Sequence, residues 1–228
     1  MRKVSYWTLV AVSFVLSVMV TGCNGFLGMG GSGMPVVFEA DFEDGSLDGW
    51  QATDPAAWRI EEGRGGKVLA LYKQSNYQPE VRSPVNINLI EDVNVESFVL
   101  ELKMHSTTRD YGHRDMCLFF GHQDPSHFYY VHIANQSDAH ANSIFIVNGE
   151  PRVSIAQIRT EGTKWDDNWH TVRLVRDVET GAIEVFFDEA DDPIMTAVDH
   201  TFTWGKVGVG SFDDTGQFDA ICLRGGTK

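Results

Sequence analysis

The sequence predicts an all-β fold, a sandwich or a barrel of many short strands, in a single domain over residues 36–228. Three observations predict it. Nowhere in that range do apolar residues recur at the spacing of a long helix. Short alternating runs recur instead, punctuated by Asp44-Gly45, Gly63, Asn148-Gly149, Thr180-Gly181 and Thr215-Gly216. Two pairs of these runs also fit together as hairpins with one apolar face each.

Taken in chain order, strands are expected at 36–42, 57–62, 66–73, 95–104, 115–122, 127–134, 142–148, 152–158, 169–176, 182–188, 205–212 and 217–224. The first hairpin joins 115–122 to 127–134 through Gln123-Asp124-Pro125-Ser126. Pairing His122 with His127 sets Phe120 opposite Tyr129, Leu118 opposite Val131 and Met116 opposite Ile133. That face is apolar and should be the core side. A slip of one residue would turn Val131 and Ile133 out of it. The opposite face carries Asp115, Cys117, Phe119, Tyr130 and His132. In the second hairpin Val172, Leu174, Ile183, Val185 and Phe187 form the apolar side, with Thr171, Arg173, Glu184 and Phe186 opposite.

Ahead of the domain, residues 1–22 read as a signal peptide. Met1-Arg2-Lys3 is a basic start, residues 6–20 are apolar apart from Thr8, Ser13 and Ser17, and Val20-Thr21-Gly22-Cys23 follows. The apolar run is short for a membrane span, which takes ~20 residues. The small residues ending in Cys23 resemble the lipobox of bacterial lipoproteins. That resemblance implies cleavage before Cys23, lipidation of its thiol, and a lipid anchor in the bacterial cell envelope. Asn24 after the cysteine is compatible with the outer membrane. Residues 24–35 hold five glycines and read as a flexible tether.

The chain has 18 Lys and Arg against 32 Asp and Glu, a net charge of −14. Nucleic acid is excluded as an expected partner, because phosphate binding needs a basic footprint. An anionic ligand would need a local basic pocket. Cys117 and Cys222 lie in apolar strand patterns, where a free buried cysteine acts as a small hydrophobe. An exported protein also permits a bond between them.

The stretches NWHTVRLVRDVETGAIEVFFD and GKVGVGSFDDTGQFDAICLRG resemble the second half of laminin-G-like and other concanavalin A-like sandwiches. DFEDGSLDGW resembles the first strand of the same superfamily, including the 3-keto-disaccharide hydrolase-like domain. The likeness covers most of residues 36–225 and, between sandwich and barrel, implies an all-β antiparallel β-sandwich of jelly-roll type with about twelve to fourteen strands; it implies fold far more than activity. It also implies that Trp169 is a core residue.

Glu39-Ala40-Asp41-Phe42-Glu43 fits the Glu-x-Asp-x-Glu string of family-16 glycosidases in this superfamily, whose retaining members need two carboxyls ~5 Å apart. Its place argues otherwise, since that string belongs to a mid-chain strand and this one follows the tether. Glu43 and Asp219 instead match the positions that hold a structural calcium ion in carbohydrate-binding jelly rolls, and calcium prefers oxygen ligands. A solvated acidic edge is the competing reading. No other cofactor is expected.

Six of the eight histidines lie between 105 and 140. Histidine is the commonest general acid or base near neutrality. Tyr130, His132 and Asp115 are therefore the catalytic candidates for a glycan-cleaving enzyme, a polysaccharide lyase or a keto-disaccharide or glycoside hydrolase-like protein. Arg82 would clamp a sugar carboxylate. The same groups suit a non-catalytic site, in which Phe119, Tyr130 and Trp165 stack on sugar rings while His132, Asn135 and Arg82 bind hydroxyls. The favoured function is a carbohydrate-binding envelope lipoprotein. Glycan cleavage and a purely structural surface role are the alternatives.

Overall fold

The computed structural model describes residues 33–228, so the expected signal peptide, Cys23 and most of the expected tether lie outside the described residues. Sixteen strands form two antiparallel sheets.

The nine-stranded sheet contains β1 (Val36–Ala40), β3 (Trp58–Gly63), β4 (Gly66–Leu71), β6 (Val95–Ser106), β11 (Ile158–Arg159), β12 (His170–Arg176), β13 (Ala182–Phe187), β14 (Met195–Val198) and β16 (Gly216–Thr227). Its order is β11-β14-β13-β12-β6-β16-β4-β3, with β1 paired to β16. The seven-stranded sheet contains β2 (Trp50–Ala52), β5 (Asn86–Ile90), β7 (Asp115–Asp124), β8 (His127–Ala134), β9 (Ser143–Asn148), β10 (Val153–Ser154) and β15 (Lys206–Ser211), in the order β10-β9-β8-β7-β15-β5-β2.

Turn chemistry explains several connections. Gly63 pairs with Gly66, so Arg64 and Gly65 form a two-residue loop. Both have positive φ, 45° and 88°, as a hairpin turn that matches strand twist requires. Asp177 Oδ1 accepts the Glu179 and Thr180 N–H groups in the β12–β13 turn.

The main core lies between the sheets. Leu100, Leu102 and Met104 of β6, Val172 and Leu174 of β12, and Leu69 and Leu71 of β4 face Met116, Leu118 and Phe120 of β7, Tyr129, Val131 and Ile133 of β8, and Val209 of β15. Each such side chain contributes roughly 1.5–3 kcal/mol when fully buried. Alternation thus decided the sides correctly in both hairpins: Phe120 pairs with Tyr129, Leu118 with Val131 and Met116 with Ile133. Val172, Leu174, Ile183 and Val185 are buried in the core, with Phe187 packed against it.

The structure departs from the sequence reading in four places. His127 pairs with Asp124, not His122, because β7 bulges between Phe120 and Asp124. Gly121 lies there at φ 56°, and a Cβ on it would meet the Tyr129 ring at 3.1 Å. The expected strand at 152–158 is two short edge strands, β10 and β11, in different sheets. The strands β2, β5 and β14 were not expected. β5 in particular alternates the buried asparagines Asn86 and Asn88 with Ile87 and Leu89, which disguises it. Finally, of Trp165 and Trp169 it is Trp165 that enters the core, 1% exposed, with its Nε1–H donating to the Ile133 carbonyl at 2.9 Å. Trp169 is half-buried and packs on the His105 ring at 5.4 Å.

Candidate functional site

The face of the seven-stranded sheet turned away from the main core holds the predicted mixed set. Cys117 pairs directly with His132, and Phe119 with Tyr130. Asp115 lies two residues before Cys117 on the same face. Each has moved off the surface: Asp115, Cys117, Phe119 and Tyr130 are 0% exposed and His132 is 4% exposed.

Two things close this face. Ile87, Leu89, Cys117, Phe119, Phe128, Tyr130, Phe145 and Val147 form a second apolar cluster across β5, β7, β8 and β9. Phe119 packs against bare backbone at Gly210, whose hypothetical Cβ would meet the Phe119 ring at 3.1 Å and the Asn86 carbonyl oxygen at 1.9 Å. The strandless segment 72–85, the loop after β9 and the residue after β15 then reach the cluster: Val81 and Phe212 pack on it, and the Arg152 N–H donates to the Arg82 carbonyl at 3.2 Å. The face expected to present Tyr130 and His132 to a glycan is therefore a covered layer. The register was right from Asp115 to Phe120; the cover came from residues distant in sequence.

What reaches solvent is a rim. Arg152 is half-buried; one Nη1–H donates to the Tyr130 hydroxyl at 2.9 Å, and its guanidinium sits 4.1 Å from the Phe212 ring centroid and 5.1 Å from that of Phe145. Arg82 is exposed, and its guanidinium lies 5.9 Å from the centroid of the same Phe212 ring. Arg82 thus does reach the predicted face, beside an arginine that sequence reasoning missed. Asp213 is exposed next to them.

Beneath the rim is a buried polar cluster. Asp115 Oδ2 accepts the Phe212 N–H at 2.7 Å and the Cys117 S–H at 3.3 Å. His132 Nε2 lies 3.2 Å from the same oxygen, yet neither ring nitrogen of His132 makes a hydrogen bond, and Asp115 Oδ1 is also without a partner. Asp214 Oδ2 accepts the Asp115 N–H at 2.8 Å, and the Tyr111 hydroxyl donates to Asp214. Burial, and then the Asp115 charge, push the Asp214 carboxyl up to about 6. Burial and Asp115 also push the Cys117 thiol up, and burial raises the Tyr130 phenol against the opposing pull of Arg152.

The other predicted residues sit elsewhere. Trp165 is in the main core and offers no face to a ligand. Asn135 braces loops: its amide donates to Asp110 and to the Tyr111 carbonyl, and its Oδ1 accepts the Trp165 N–H at 2.7 Å. Asp41 and Glu43 fall beyond the end of β1, where Phe42 has φ 58°, so the Glu39, Asp41 and Glu43 carboxylates do not share a strand face. Glu43 Oε1 accepts the Lys67 N–H at 3.1 Å, while Asp219 pairs with Arg64 at 2.5 Å. These are two separate engagements. Cys117 is a free buried cysteine, so it does not pair with Cys222.

No protein-family model matches the sequence, and none of the curated proteins matches it. Solved structures do resemble it. The carbohydrate binding module CBM66 from Bacillus subtilis is 16% identical with a TM-score of 0.53, covering 77% of this chain and 95% of that one. The winged bean acidic lectin, complexed with methyl-α-D-galactose, is 13% identical with a TM-score of 0.57, covering 84% and 99%. The GH43 protein BlXynB from Bacillus licheniformis is 11% identical with a TM-score of 0.56, covering 82% of this chain and 39% of that one. At these identities the likeness establishes the fold, a lectin-like β-sandwich.

Proposed function

We propose that this chain is a lipid-anchored cell-envelope protein whose sandwich domain binds a polysaccharide or glycoconjugate at the rim formed by Arg82, Arg152 and Phe212. The observation that carries this reading is the rim itself. An aromatic ring and two guanidinium groups are gathered at the edge of an otherwise sealed sheet face. A half-exposed ring can stack on the apolar side of a sugar, and guanidinium groups can take hydroxyl or carboxylate oxygens in a forked geometry. On a chain of net charge −14, this local pair of cations favours a sugar bearing a carboxylate or sulfate. The resemblance to a carbohydrate-binding module and a lectin lends support, as does the lipobox-like end of the N-terminal segment.

The test is a glycan array of neutral, uronate and sulfated polysaccharides, with reducing-end and unsaturated-product assays on every retained glycan. Retention without products is expected. Phe212→Ala and Arg82→Ala should each weaken retention by roughly tenfold, the effect of losing ~1.4 kcal/mol. Retention unchanged in both variants would remove the rim from the reading. Accumulation of cleaved product would replace binding by glycan cleavage.

A further inference from the structure

We propose that Asp115, Cys117 and His132 form a binding site for a divalent transition-metal ion of the zinc class. The site stands whether or not the rim above it takes a sugar.

The backbone brings the three together without loops. Asp115 and Cys117 are two apart on β7, and His132 is the cross-strand partner of Cys117 on β8. One ligand atom from each lies within 4.8 Å of the others. The measured edges are 3.2 Å from His132 Nε2 to Asp115 Oδ2 and 3.3 Å from Cys117 Sγ to the same oxygen. Around a tetrahedral zinc ion with bonds of about 2.0–2.3 Å, such edges come to roughly 3.3–3.6 Å. A few tenths of an ångström of adjustment brings these two edges to that range, and the Cys117–His132 edge lies within 4.8 Å.

A second observation is independent of the spacing. His132 is 4% exposed, and both its ring nitrogens are buried without a hydrogen-bond partner. Asp115 Oδ1 is in the same condition. Buried polar atoms are rarely left so, and three in one place call for a common partner. A cation bound by Nε2 and Asp115 Oδ2 supplies a partner for Nε2 and places a positive charge beside the unpartnered Oδ1. The donor set selects the ion: thiolate and imidazole suit zinc-class metals, whereas calcium takes oxygens. Asp213, exposed, shares a second cluster with Asp115 and Asp214. Either its carboxylate or water would complete four-coordination. Uptake breaks the Cys117 S–H bond, forms the Sγ–metal bond and releases the proton to solvent, with no change of oxidation state.

Cobalt(II) titrated into the full chain purified free of metal is the direct probe. One equivalent should give a thiolate-to-cobalt charge-transfer band, which one equivalent of Zn²⁺ removes, and Zn²⁺ should raise the melting temperature. Cys117→Ser should abolish the band, which separates this thiol from Cys23 and Cys222. His132→Gln should weaken Co²⁺ binding by at least ~tenfold, and it decides the matter should Cys117→Ser fail to fold. A folded wild-type chain with no band overturns the proposal. So does a band that survives both substitutions, or a thermal shift given by Ca²⁺ but not by Zn²⁺.

Discussion

Replacing Arg152 by Met tests whether the covered sheet face is held shut as the structure indicates. The Tyr130 phenol is fully buried, and its one hydrogen bond comes from Arg152. Met keeps much of the apolar contact with Phe145 and Phe212 but cannot donate. Orphaning a buried hydroxyl costs about 1–3 kcal/mol. The cation–ring contacts to Phe212 and Phe145 add roughly 0.5–1 kcal/mol at this partial exposure. Arg152→Met should therefore destabilise the domain by about 2–3 kcal/mol. For a domain of this size that lowers the melting temperature by roughly 5–10 °C. Tyr130→Phe removes the group that needs the donor and leaves a half-buried Arg152 able to meet water, so it should cost only about 1 kcal/mol. The informative quantity is the coupling between the two, measured in a double-mutant cycle by urea unfolding. In the Tyr130→Phe background, Arg152→Met should cost about 1–2 kcal/mol less than in the wild type. Equal costs in both backgrounds would refute the claim that this bond seals the face.

Two further outcomes are expected. Burial lowers the His122 imidazole from 6.5 to about 4, so the folded state resists protonation that the unfolded chain accepts. Its contribution is fully present above pH 6.5 and is lost as pH falls toward 4, amounting to roughly 2–3 kcal/mol. His122→Phe, which keeps the packing on Phe128, should flatten stability between pH 6.5 and 4 relative to wild type; parallel pH curves would count against it. Cys23→Ser should move the protein from the membrane fraction to the soluble fraction and abolish lipid labelling, and unchanged membrane retention would remove the anchor from the proposed function.

Much of the candidate site was legible in the sequence. The alternation of β7 and β8, read with Val131 and Ile133 inward, already places Asp115, Cys117 and His132 on one face. Treating Cys117 as a small hydrophobe is what hid its part in that cluster. Asp213, Asp214 and Phe212 were invisible for another reason. They follow β15 and meet Asp115 across about a hundred residues of chain, through contacts such as the Phe212 N–H to Asp115 Oδ2. No local pattern encodes that meeting. Trp165 and Trp169 make the same point: both flank one acidic loop, and only packing decided that Trp165 enters the core and reaches the Ile133 carbonyl.

By itself the sequence determined the all-β class and most of the strands, because strand alternation and turn residues are local properties; β2, β5, β14 and the division of strands between the sheets were not in it. It determined which side chains share a face, since a period of two admits only two choices and burial rejects one. Tertiary structure alone decided whether the second face meets water. That depends on where segment 72–85 and Arg152 come to rest, and their positions follow from long-range packing that no short stretch of residues specifies.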